Sequence, residues 1–331
     1  MKTKEYAEYL RTKSVSEKDI AEQTQAVCAF ETWLAEHDAK FETAGKTEVR
    51  QYAGHLVETG GNTMETFDAL CEYAYWLGLR ALYVFLVEVT DCYNGMETLR
   101  GIIEKRYGTE IRDKIFKESM PPLGAGEAER LQYTKTIDER MNALLPPKEV
   151  RAAWFQVQHG MSPEYWKKHD EKQRERYGDC GSLEDFLERM RADRSHFLHR
   201  LHDTNELWYT QEITDDALEY LIENRHSRLG EHNGRRGIII TKVPYMADRV
   251  VNETDPKLKR YYACHCPLIR EAILRGEKLA DDVCYCSLGH ASHYLTGIGL
   301  ENLEGEVLES AVKGDSRCRF IFYLPEEHGA S

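Results

Sequence analysis

Residues 263 to 294 place four of the chain's nine cysteines in two Cys-x-Cys pairs, Cys264/Cys266 and Cys284/Cys286, with His265, His290 and His293 inside or just after them. Three kinds of chemistry use such a set. In an extended segment residues i and i+2 point the same way, so each pair can aim two sulfurs at one point. Seventeen residues separate Cys266 from Cys284, comparable with the gap between ligand pairs in zinc sites. Four thiolates, or three with a histidine, would satisfy a tetrahedral ion. Zinc is then the cofactor, and Cys264, Cys266, Cys284 and Cys286 are its ligands. A thiol nucleophile needs only a cysteine of lowered pKa beside an acid/base group. Cys266 and Cys286 each precede a helical pattern, whose dipole and unpaired N–H groups favour a thiolate. His290 and His293 follow Cys286 at i+4 and i+7 on one helix face. The catalytic candidates are therefore Cys266, Cys286, His290 and His293. Plain burial is the third use, since free cysteine behaves as a small hydrophobe.

The elements that would position these residues are legible nearby. Pro267 suits the first turn of a helix, Leu268, Ile269, Ala272 and Ile273 give it an apolar stripe, and Gly276 closes it. GIIITKVPY (237 to 245) is a β-branched run bounded by Gly and Pro, which predicts a buried strand. GEVLESAVKGDSRCRFIFYLP predicts a terminal hairpin with its turn at Gly314-Asp315 and with Cys318, Phe320, Phe322 and Leu324 on one face. Residues 231–331 thus read as a small α+β domain with cysteines at its helix entrances. Glu309 and Asp315, on this hairpin, and His265 are candidates for holding a ligand, although Asp315 is also explained as a turn former.

Upstream the pattern is helical. In SEKDIAEQTQAVCAFETWLAEH, Ile20, Val27, Phe30, Trp33 and Leu34 recur at helical spacing behind a candidate N-cap, Ser16. TEVRQYAGHLVETG ends on a Gly pair, and Gly78 breaks the following apolar run. Cys28 and Cys71 fall on apolar faces and are expected to be buried. Pro121/Pro122 and Pro146/Pro147 mark joints, giving a helical module over 1–120, a helical middle over 121–230 and the α+β domain after it. His196, His199 and His202 recur every third residue among arginines, as on a solvated helix face. The fold class expected is α+β: a helical N-terminal module and helical middle, then the small C-terminal domain.

Composition narrows the partners. The 331 residues carry a formal charge of −13 and are 41% hydrophobic, enough for at least one full core. The polar N-terminus and the lack of a long apolar run predict a soluble, cytoplasmic protein with no membrane partner. In that compartment thiols stay reduced, and nine is an odd number for a closed disulfide framework. Residues 1 to 100 hold 10 Lys/Arg against 17 Asp/Glu, a poor balance for gripping a nucleic-acid backbone. The N-terminal helices are instead a candidate surface for a protein partner.

Two resemblances bear on function. EYLRTKSVSEKDIAEQTQAVCAFETWLAEH and TAGKTEVRQYAGHLVETGGNTMETFDALCEYAYWL, covering about residues 5 to 90, resemble the SAM-like core-binding domain of phage-integrase-type tyrosine recombinases. No recombinase set of Arg, His-x-x-Arg and a late Tyr follows, and HFLHR at 196 to 200 is a superficial echo. ACHCPLIREAI, DDVCYCSLGHASHY and VLESAVKGDSRCRFIFYLP resemble the L-2-amino-thiazoline-4-carboxylic acid hydrolase-like proteins and, more distantly, 4-vinyl reductase-type domains, nearest to a cysteine-rich bacterial branch. That resemblance implies a cysteine-lined pocket for a small molecule. The hydrolase pattern has a Cys with a downstream Asp where this chain has a second cysteine and then Ser287, so the ring-opening reaction itself is not implied. The function expected is small-molecule binding or thiol-dependent, hydrolase-like catalysis. The alternatives are a non-catalytic zinc-bearing interaction protein and, third, a DNA-associated role.

Overall fold

A computed structural model describes residues 2–224, 226–279 and 282–325. The chain divides into two compact units, one reaching to Tyr93 and including Glu118–Tyr133, the other made of Asn94–Lys117 and everything from Thr134 onward. The division expected at Pro121/Pro122 thus falls inside the first unit, and the helical middle joins the C-terminal elements only from Thr134 on.

The first unit is helical. α1 (Thr3–Thr12), α2 (Glu17–Glu36), α3 (Lys46–Thr59) and α4 (Met64–Trp76) are followed by α5 (Arg80–Ile115) and α6 (Glu127–Leu144), the first parts of which belong here. Ser16 caps α2, its hydroxyl accepting the Asp19 N–H at 3.2 Å, which satisfies one of the donors that a helix start leaves unpaired. Gly78, at φ 72°, turns the chain between α4 and α5. The core is aromatic: Phe30 meets Phe41 and Tyr52 at 5.2 and 4.7 Å between ring centroids, and Tyr6 meets Tyr73 at 4.8 Å. Cys71 packs against this core only partly buried, and Cys28 on α2 is also only partly buried, a departure from the burial expected of them.

The second unit holds a four-stranded antiparallel sheet in the order β1-β2-β4-β3, with β1 Ser227–His232, β2 Arg235–Thr241, β3 Gly305–Glu309 and β4 Arg319–Tyr323. β1 and β2 form a hairpin through Asn233 and Gly234, both at positive φ, the residue pair a tight two-residue turn favours. β3 and β4 pair antiparallel, so the expected α+β class with a terminal hairpin is the observed one. Alternation sorts the strands into two faces. Ile238, Ile240, Val307, Phe320 and Phe322 pack with Phe186, Leu288 and Leu295 on one face, while Ile239, Ile321 and Tyr323 cluster on the other.

The unit's further helices are α7 (Pro147–Val157), α8 (Pro163–Tyr177), α9 (Leu183–Thr204), α10 (Asp215–Glu223), α11 (Ala247–Asn252), α12 (Pro256–Ala263), α13 (Glu271–Arg275) and α14 (Tyr285–Ser292), of which α7, α8, α9 and α14 pack on the sheet. Gly289 lets α14 lie directly on α7, since a β-carbon there would stand 1.8 Å from the Phe155 carbonyl oxygen. His196 and His199 are exposed on α9, as their spacing predicts. Three local expectations are corrected. β2 stops at Thr241 rather than running to 245, α13 starts four residues after Pro267, and Cys286 lies inside α14 rather than ahead of it. The intervening residues 267–270 form a turn in which the Ile269 and Arg270 N–H groups return to the Cys266 carbonyl.

Candidate thiol site

Five cysteines line one small cavity of the second unit: Cys264, Cys266, Cys284 and Cys286, joined by Cys318 from the hairpin. The two Cys-x-Cys pairs therefore meet, as their spacing allows. None of the nine cysteines is in a disulfide. Lys242, His159, His265, Ser287, Glu309 and Ser310 complete the polar lining. The cavity volume is about 20 Å³, room for about one water-sized group.

Lys242 stands at the centre of this chemistry. The chain carries it inward just past β2, where its N–H bonds to the Cys318 carbonyl at 2.9 Å. Its ammonium donates to Ser287 Oγ at 2.7 Å and lies 3.2 Å from His159 Nε2. Among the described residues it pairs with no carboxylate, although Glu309 lines the same space. Burial lowers its pKa, and the thiols of Cys318, Cys286, Cys266 and Cys264 oppose that shift. The anion able to compensate the lysine is thus a thiolate.

The partner of Cys286 is a backbone group. Gln158, His159 and Gly160 have φ values of 46°, 61° and 72°, three successive residues in the left-handed region that L side chains seldom adopt. This turn aims the His159 N–H at Cys286 Sγ, 3.1 Å away, and a hydrogen bond to sulfur favours the thiolate. Gly160 packs so closely that a β-carbon would come within 2.9 Å of Asn94. Cys284 Sγ lies 3.2 Å from Ser310 Oγ. Burial pushes the thiols of Cys264, Cys284 and Cys318 up, and it holds His159 and His265 neutral, well below the usual histidine range.

The remaining candidates are placed differently. Glu309 lines the cavity, but its carboxylate is taken by Arg319 and by Arg317 at 2.9 Å. Although burial opposes ionisation, those two guanidiniums hold its pKa below the ordinary value. Asp315 accepts the Ser310 N–H at 2.8 Å and shapes the turn; it does not line the cavity. His265 does, with Nε2 on the Val243 carbonyl. His290 and His293 fall outside the lining, which corrects their assignment as partners of Cys286. His293 Nδ1 sits 2.9 Å from Asp170 and its ring stacks on Trp166 at 3.7 Å. The His290 ring meets His159 edge-on at 4.9 Å, and burial pushes its pKa down to about 3. Cys266 heads a turn rather than a helix, so the dipole argument does not apply to it.

For zinc, the donor chemistry fits, since soft sulfur ligands suit the ion. The arrangement does not: among the described residues no group of three or more His, Cys, Asp or Glu side chains is placed to hold a metal ion. Sequence reasoning missed Lys242, His159 and Cys318. The signal for Lys242 was a charged residue directly after an apolar β-run; His159 carried none, because its role depends on a backbone turn. No protein-family model matches the chain, and no curated protein and no solved structure is significantly similar to it. No helix among the described residues is long and apolar enough to cross a membrane.

Proposed function

We propose that the second unit carries out thiol-dependent, hydrolase-like chemistry on the end of a small molecule, with Cys286 as nucleophile and Lys242 as its proton partner. The observation that carries this reading is the convergence of five thiols and one carboxylate-free lysine on a single atom-sized space. The Cys286 thiolate, its proton held on Lys242, adds to an electrophilic carbon, the Lys242 ammonium gives that proton to the leaving group, and water then hydrolyses the thioester and restores the thiolate–ammonium pair. The His159 N–H steadies the sulfur's charge between those steps. Only the reacting end of a substrate fits in about 20 Å³, so unbranched acyl groups are the class favoured. The similarity to thiazoline-carboxylate hydrolase-like proteins points the same way, on residue patterns alone.

The test is acylation of the full chain with p-nitrophenyl acetate, read by intact-mass and peptide-level mass spectrometry, alongside metal analysis of protein purified without added metal. A single acetyl adduct on Cys286, lost in Cys286→Ser and slowed at least tenfold in Lys242→Met, is expected. Stoichiometric zinc with all five thiols protected until a chelator is added would overturn the reading and restore a structural metal site.

A further inference from the structure

The second unit has another cavity, unrelated to the sulfur cluster. It lies against α9 and α10 and has a volume of about 310 Å³, at the lower end of the range typical of small-molecule sites. Its walls are largely apolar: Met190, Leu198, Leu221 and Ile222 line it. Arg194 and His226 supply buried polar groups, and Glu188 and Arg191 are exposed.

Arg194 is the unusual residue. Its guanidinium lies over the Trp208 ring at 4.9 Å and near that of Tyr294 at 6.0 Å, and it bonds with Tyr294. One terminal nitrogen, Nη1, is buried with no hydrogen-bond partner. No carboxylate pairs with Arg194 among the described residues. A guanidinium does not escape this situation by losing its proton in the physiological range, and a buried charge without a counter-charge is strongly unfavourable. His226 adds to the imbalance. Its ring lies near the Thr241 carbonyl, yet neither nitrogen meets hydrogen-bond geometry. Burial keeps that ring neutral, so it offers a donor without a second charge.

We propose that this cavity binds a small organic carboxylate, whose carboxylate caps Arg194 and whose apolar body rests on Met190, Leu198, Leu221 and Ile222. The planar guanidinium fork matches a carboxylate. The apolar walls distinguish such a ligand from a bare inorganic anion, which would leave them wet.

The test is calorimetric titration and thermal melting of the full chain with octanoate and 3-phenylpropanoate, using the corresponding amides and inorganic phosphate as controls. Saturable carboxylate binding that raises the melting temperature is expected, because a ligand selective for the folded state stabilises it. The amides should bind at least tenfold more weakly. Arg194→Met should remove the carboxylate response. Ile222→Trp, at a partly exposed position on the cavity wall, should weaken binding at least tenfold by filling the space, and it keeps the test decisive if the first variant does not fold. No carboxylate response in the native chain, an unchanged response in Arg194→Met, or phosphate binding as tightly as octanoate would each overturn the proposal.

Discussion

The two cavities of the second unit differ in how their polar groups are answered. The sulfur-lined space is dense with reactive side chains, yet most of them answer one another: Lys242 has Ser287 and His159, Cys284 has Ser310, Cys286 has a backbone N–H, and Glu309 has two arginines. The larger cavity is sparse in chemistry, yet one nitrogen of its Arg194 guanidinium has no hydrogen-bond partner. Density of functional residue types therefore marks where bonds can be made and broken. The need for a ligand is marked instead by a group left without a partner.

Acid should break both, and most strongly. His159, His265 and His290 at or behind the sulfur cavity and His226 at the other all have pKa values held below the ordinary value by burial. The unfolded chain binds protons at these positions below about pH 6.5 while the folded one does not, so stability is lost as pH falls through that range. Each such histidine contributes up to about 1.4 kcal/mol per pH unit. The unfolding free energy from urea melts should fall steeply between pH 6.5 and 5, by on the order of 5 kcal/mol in total for four groups. A flat profile would show that these rings are solvated.

Gly289→Ala should break the sulfur cavity alone. The added β-carbon meets the Phe155 carbonyl, so α14 must shift off α7, at about 3 kcal/mol by denaturant melting. The carboxylate response of the other cavity should survive in any fraction that folds.

Replacing each cation by methionine should give opposite signs. Lys242→Met leaves Ser287 and His159 without their partner and should destabilise the free protein by about 2 kcal/mol. Arg194→Met removes an uncompensated charge and should be neutral or stabilising by about 1 kcal/mol. Equal and opposite outcomes in thermal melting would reverse the assignment of the two sites.

The smallest effect is kinetic. Under native conditions iodoacetamide should label partly exposed Cys180 before Cys264, Cys284 and Cys318: burial raises the pKa of all four thiols, but it encloses only the latter three in the cavity and so hinders access to them. Peptide mapping by mass spectrometry checks the order.

How much of this the sequence disclosed depends on the range of each signal. The strand at Ile238–Ile240, the terminal hairpin, the Ser16 cap and the Gly78 break are local patterns and read correctly. Cys264, Cys266, Cys284 and Cys286 do line one cavity, but Cys284 and Cys286 reach it from helical backbone rather than from the extended segment that two-residue alternation assumes. The β1–β2 turn at Asn233-Gly234 was equally local and was missed beside the more conspicuous cysteines. Lys242, His159 and Cys318 reach the site from three separate segments, and His290 on α14 and His293 just after it leave the site because both rings pack against Trp166 of α8. One-dimensional spacing holds no record of which neighbours a helix face meets. Arg194 was hidden for the same reason: among four arginines of one helix, only packing shows which is enclosed.

The turn at Gln158, His159 and Gly160 has a consequence in chirality. By the preference of L-amino acids it is wound the wrong way, and a D-residue would adopt it without strain. Semisynthesis with D-Gln at position 158 should relax the backbone and still leave the next N–H pointing at sulfur. The natural alphabet has only one achiral residue, and this loop uses it at 160, where Asn94 leaves no space for a β-carbon. Position 159 has no such escape, because an achiral residue there would keep the N–H for Cys286 and lose the imidazole for Lys242. One residue, held in a conformation its own handedness disfavours, thus serves the sulfur with its backbone and the amine with its side chain.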